Sequence, residues 1–127
     1  MNTVTTNTAG AIINLSAQEA TPSQLAAGVI DLDRYARREL EEKHRFTQTP
    51  TDPMDLVYRA RYIAALLARF LGSYNQLPGQ KVLIAGGPAM VAALHTELRA
   101  RGVTVLYSFE KVLEDGSLQH DGFIEVQ

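Results

Sequence analysis

The chain has 127 residues, 46% of them apolar and 20% charged, with a formal net charge of -2 and no cysteine. That length and balance fit one globular domain with its own buried core and require no second one. The charge gives no overall attraction for long nucleic acid or an anionic membrane, and the missing thiols exclude disulfides, thiolate-metal sites and cysteine nucleophiles.

Residues 1–10 are Thr/Asn-rich and uncharged, without the basic start and apolar run of a secretory signal, and are expected to form a flexible lead-in to a single domain over 11–127. No apolar run approaches the roughly 20 residues that span a bilayer, so a cytoplasmic protein is expected. Ala11 to Leu15 is a short apolar run, read as a buried strand that delivers Asn14 and Ser16 at its carboxyl end. Thr21-Pro22-Ser23-Gln24 opens a short helix: Thr21 caps free amides, Pro22 suits the first turn, Gln24 reaches back, and Gly28 ends the helix.

Asp31 or Asp33 is expected to cap a second helix through about Arg45, with Leu32, Tyr35, Ala36 and Leu40 as its apolar stripe. Arg37, Arg38, Glu39, Glu41, Glu42 and Lys43 read as its solvated face. After a polar loop from Thr47, Asp52-Pro53 starts a long helix in which Leu56, Ile63, Leu66, Leu67, Phe70 and Leu71 recur at helical spacing, widened by Val57, Ala60 and Ala64. Gly72 to Gly79 is its exit loop.

Lys81 to Ala85 reads as a parallel strand covered on both faces. Gly86-Gly87-Pro88 turns it into a helix with Met90, Val91, Leu94 and Leu98 on its apolar face and Gly102 at its end, and Val103 to Phe109 resumes as a strand. This is a βαβ unit, and Asp115-Gly116 then turns the chain back so that Gly122 to Val126 runs antiparallel. The fold class is therefore α/β: a small Rossmann-like, mainly parallel sheet with helices on its faces and a C-terminal antiparallel hairpin.

In open α/β sheets ligands bind outside the carboxyl ends of parallel strands, above all where strand order reverses. Two such ends stand out: Asn14-Leu15-Ser16 with Gln18 and Thr21, and Gly86-Gly87-Pro88. Adjacent glycines admit close backbone approach, and a helix start offers free amides suited to an anion; a tight structural turn is the alternative, since neither glycine-rich phosphate motif is complete and Pro88 lacks a donor. Asn14, Ser16, Gln18 and Thr21 either bond a ribose or base edge or satisfy loop backbone. Tyr107, Phe109 and Lys111 alternate onto one face with Ser108 between, placing an aromatic where it either stacks on a base or packs in the core. His44, His95 and His120 have no metal-ligand spacing and no role in catalysis is assigned to them; no metal or cofactor is implied.

The segments Asn14-Leu15-Ser16-Ala17-Gln18-Glu19-Ala20-Thr21-Pro22-Ser23-Gln24, Gly86-Gly87-Pro88, Arg101-Gly102-Val103, Leu106-Tyr107-Ser108-Phe109 and Gly122-Phe123-Ile124 together resemble a family of small bacterial and phage proteins with the patterns N-L-T-x-H-x-A-T-P-E-Q and G-G-A-P. Gln18 departs from the pattern's histidine, so no acid-base role is carried onto it. The opening segment is also similar to that of CRISPR-associated Rossmann-like proteins that bind or cleave cyclic oligonucleotides. Strand-end placement together with the resemblance points to a protein that binds a nucleotide-like small molecule through Asn14, Leu15, Ser16, Gln18, Thr21, Gly86, Gly87, Pro88, Tyr107, Ser108, Phe109 and Lys111, and the resemblance implies a sink for a cyclic-nucleotide defence signal. A homodimer or higher homo-oligomer is expected because so small a sheet with apolar helices leaves a face or edge needing cover. A metal-independent ring nuclease, in which a ribose 2′-hydroxyl attacks the adjacent phosphate, and an adaptor working through the long helix after Asp52 are the alternatives.

Overall fold

The computed structural model describes residues 10–44 and 52–125. The expected lead-in over 1–9, the helix end at Arg45, the loop over 47–51 and the strand end at Val126 lie outside the described residues.

Among the described residues five strands form one sheet in the order β2-β1-β3-β4-β5: β1 Ile12–Asn14, β2 Val29–Asp31, β3 Lys81–Leu83, β4 Thr104–Val112 and β5 Leu118–Glu125. The first four are parallel and β5 is antiparallel to β4. The helices are α1 Pro22–Ala26, α2 Arg34–His44, α3 Pro53–Leu71 and α4 Pro88–Ala100, with a 3-10 turn at Tyr74–Gln76 inside the expected exit loop. The chain is thus α/β, mostly parallel, with the antiparallel hairpin at its C-terminal end.

Strand β2 was not expected. The sequence reading runs from Gly28 straight into a helix, because Val29 and Ile30 are too few to show any periodicity. Pairing with β1 through Ile12, Ile13 and Asn14 makes them a strand, and Asp31 becomes its last residue. The helix cap is Asp33, whose carboxylate accepts from the Ala36 amide at 2.9 Å.

Strand order decides which face each helix covers. The chain moves from β1 outward to β2, then back past β1 to β3 and on to β4. Right-handed crossovers place the β1–β2 connection on one face and the later connections on the other. The packing agrees: α1 meets β2 and β5, whereas α3 lies against α2 and α4, and α4 against β4. The main core joins Ile13, Leu15, Val82, Ile84 and Val105 of the sheet to Leu40, Ile63, Leu67, Leu94 and Leu98 of α2, α3 and α4. Ile12, Val29, Leu83 and Leu106 form a smaller cluster on the opposite face with Ala20 and Phe123.

The long helix buries Ala60, Ile63, Ala64, Leu66, Leu67 and Ala68, close to the stripe its spacing predicts, and ends at Gly72 with φ 109°. Helix α2 departs from its predicted stripe. Tyr35 is 67% exposed, and Arg37, assigned above to the solvated face, is 5% exposed and among the buried residues.

Candidate functional site

The reversal of strand order falls between β1 and β3, which are direct neighbours. Both glycine- and polar-rich strand ends singled out in the sequence therefore meet at one place, and β4 adds a third. There the structure has a cavity of about 430 Å³, lined by Ser16, Gln18, Thr21, Gly86, Tyr107 and Ser108, with further wall from Ala17, Glu19, Gln24, Leu83, Ile84, Ala85 and Glu110. Its size falls within the roughly 300–1,000 Å³ typical of small-molecule sites.

Of the residues expected at a site, Ser16, Gln18, Thr21, Gly86, Tyr107 and Ser108 come together in this wall. Asn14 and Leu15 stand behind it at 0% exposure, Leu15 as core. Gly87 and Pro88 lie just beyond it at the exposed start of α4, where Gly87 is the cap residue. Phe109, 50% exposed, and Lys111 share Tyr107's strand parity but do not line the cavity.

Asn14 builds the wall from within. Its Nδ2 donates to Gln18 O at 2.8 Å and to Asp31 Oδ1 at 2.7 Å. Its Oδ1 accepts from the Ser16 amide at 2.9 Å and the Ser16 hydroxyl at 2.7 Å. The Ser16 hydroxyl also lies 2.9 Å from Gln18 O; having one proton, it serves one acceptor at a time. Asp31 Oδ1 takes the Ala20 amide at 3.2 Å as well, so β2 fixes the far end of the same loop. The next helix closes with the capping box read from the sequence: the Gln24 amide donates to Thr21 Oγ1 at 3.2 Å, and the Thr21 amide to Gln24 Oε1 at 3.0 Å.

Two further groups were not assigned from sequence. His44, at the end of α2, has Nε2 2.8 Å from Leu15 O. A carbonyl only accepts, so Nε2 carries the proton and the neutral ring leaves Nδ1 as a bare acceptor. That nitrogen stands 3.5 Å from where a Cβ on Gly86 would sit, and His44 lines a second cavity of about 350 Å³ with Ala17, Gln18 and Glu41. Burial holds the imidazole below its ordinary value; the Leu15 carbonyl opposes this and the Arg37 charge adds to it.

The other group is a polar cluster on the hairpin. Ser108 Oγ lies 2.7 Å from Glu110 Oε1 and 2.8 Å from His120 Nδ1, and the His120 ring packs beside Phe123 at 4.3 Å between centroids. With the carboxylate accepting from the hydroxyl, Nδ1–H of His120 donates to Oγ. A bulge makes this possible: Ser108 faces Phe123 and Glu110 faces His120, so Phe109 alone opposes Asp121 and Gly122, the latter at φ 129°. His120 and Phe123, three residues apart, thereby come to one face. His95, half-buried on α4, lines none of the cavities described. Tyr107 keeps its phenol proton more firmly than usual because burial opposes the charged form.

The cavity wall carries two carboxylates, Glu19 and Glu110, several hydroxyl and amide groups, and no cationic side chain. It suits O–H and N–H donors of a ligand rather than phosphate; free amides at the start of α4, just outside, are the part suited to an anion. Among the described residues no group of three or more His, Cys, Asp or Glu is placed to hold a metal ion, and no helix is long and apolar enough to cross a membrane. Comparison with protein-family models, curated proteins and solved structures found no match in any of the three.

Proposed function

We propose that the chain binds a nucleotide-derived small molecule, its sugar or base in the 430 Å³ cavity and its phosphate outward toward Gly86 and Gly87. The observation that carries this reading is the convergence of the β1, β3 and β4 carboxyl ends on one cavity at the point where strand order reverses. Glu110 and Glu19 accept from ribose hydroxyls or base N–H groups, Ser16 and Gln18 complete the polar contacts, and Tyr107 offers a flat apolar surface at the rim. A cavity at these strand ends favours a ligand-binding role over an adaptor acting through α3. A cyclic-nucleotide signal held in this way is the ligand that the family resemblance implies.

Cleavage is the second reading, favoured by the hydrogen-bonded Ser108, Glu110 and His120. Ser108 and Glu110 line the cavity and His120 stands behind them: the Glu110 carboxylate takes the proton of a ribose 2′-hydroxyl as its oxygen bonds to the neighbouring phosphorus, the bond from phosphorus to the 5′-oxygen breaks, and that leaving oxygen takes a proton from water.

The test is thermal stability against nucleosides, mononucleotides, dinucleotides and cyclic oligonucleotides, with chromatography of whatever binds. A true ligand at one hundred times its dissociation constant adds about 2.7 kcal/mol to stability, and Glu110→Gln should reduce that gain. Intact ligand on recovery identifies a binding protein, and a linear product an enzyme. No stabilisation across the panel refutes the proposal.

A further inference from the structure

Another cleft, of about 350 Å³, lies at the carboxyl end of β2 against the first turns of α2, lined by the arginines Arg34, Arg37 and Arg38 and by the carboxylates Glu19, Asp31 and Glu41. Arg37 is 5% exposed. Its Nη1 donates to Ser16 O at 3.0 Å and to Asn14 O at 3.4 Å, but Nε and Nη2 are buried without a hydrogen-bond partner. The nearest carboxylate oxygen, Glu41 Oε1, stands 4.0 Å from Nη2, near enough for attraction and too far for a hydrogen bond. Buried guanidinium donors left unpaired are costly.

A second observation points the same way. Helix α2 has no acidic residue in its first turn beyond its cap Asp33, and places arginines at 34, 37 and 38. Asp31, which also lines the cleft, is already engaged by Asn14 and the Ala20 amide. Among the described residues Glu41, 40% exposed in its side chain, is held by the long contact with Arg37 alone.

We infer that this cleft is a phosphate-binding site: the phosphate group takes the place of the Glu41 carboxylate and accepts from Nη2 and Nε of Arg37, with Arg34 and Arg38 closing over it. The planar guanidinium fork matches two phosphate oxygens. The site shares only Glu19 with the cavity of the proposed function, whose wall has no cation, and does not depend on that reading. The group arrives either as free phosphate or as a phosphomonoester.

The measurement is the NMR signal of the Arg37 Nε–H in full-length protein, titrated at constant ionic strength with inorganic phosphate and, separately, with ribose 5-phosphate. A saturable displacement is expected. Arg34→Gln or Arg38→Gln, both at exposed positions that leave the loop contacts of Arg37 intact, should weaken binding about tenfold, and Glu41→Gln should strengthen it several-fold. Tighter binding of the sugar phosphate identifies an esterified ligand, and equal binding free phosphate. Adenosine, which lacks phosphate, should leave the signal unmoved. An Arg37 signal that does not respond to either phosphate, or responds equally in the arginine variants, overturns the assignment.

Discussion

Replacing Asn14 by alanine removes a fully buried amide that four hydrogen bonds tie to Ser16, Gln18 and Asp31. Losses at the three partners differ. The Ser16 amide is buried and has no other acceptor within this loop, so it becomes an orphan costing about 1–3 kcal/mol. Asp31 loses a charge-assisted bond worth about 1.5–3 kcal/mol but keeps the Ala20 amide and is only half-buried, so water restores part of it. The exposed Gln18 carbonyl region exchanges its partner for water at little cost. The sum is about 3 kcal/mol, which for a domain of this size lowers Tm by roughly 10 °C. Urea unfolding followed by circular dichroism should show a lower midpoint with an unchanged slope, since the surface exposed on unfolding is the same. A loss below about 0.5 kcal/mol would refute the claim that this amide organises the β1–α1 loop. Asn14→Asp sharpens the test. It sets a second carboxylate beside Asp31, so one of the pair holds its proton in the folded state to a higher pH than in the unfolded chain. The contribution of that pair to stability should then be full below the unfolded carboxylate pKa and be lost as pH rises through the raised value, read as the difference between variant and wild type.

Three other outcomes follow from the geometry. Because burial lowers the His44 pKa, the unfolded chain binds the proton first: the contribution of His44 to stability is full above about pH 6.5 and is lost as pH drops from there through the lowered folded value, and His44→Gln should flatten that part of the slope in pH-dependent urea titrations. Gly86→Ala should cost about 1–3 kcal/mol by thermal unfolding, because φ is 144° and an L side chain is strained there, although the new methyl meets His44 only at ordinary contact distance. Thr21→Ala should lose about 1 kcal/mol through the capping box while Thr21→Ser retains it, read from the same unfolding curves.

Much of the architecture was legible because it rests on local chemistry. The αL glycine after α3, the Thr21–Gln24 box, the periodicity of the long helix and the Asp115-Gly116 turn are all decided by residues within a few positions of one another. So were the two strand ends that carry polar and glycine-rich residues. Strand β2 escaped notice because two apolar residues carry no pattern; it is a strand through its pairing with β1.

Tertiary structure decided what those local pieces could not. Placing β3 beside β1 brought Ser16, Gln18 and Thr21 to one cavity with Gly86, although some 70 residues separate them. The extra residue in β5 turned His120 toward Ser108, against the period-two alternation that the sequence invites one to assume. Arg37 reads in sequence as one charge among many on a polar helix face. It is buried because the loop after β1 presents Asn14 O and Ser16 O to its guanidinium, and carbonyls from 21 to 23 residues away leave no trace in the pattern of charges along α2. Side-chain periodicity records which face meets the bulk of the core; it cannot record a single polar contact made by a distant stretch of backbone.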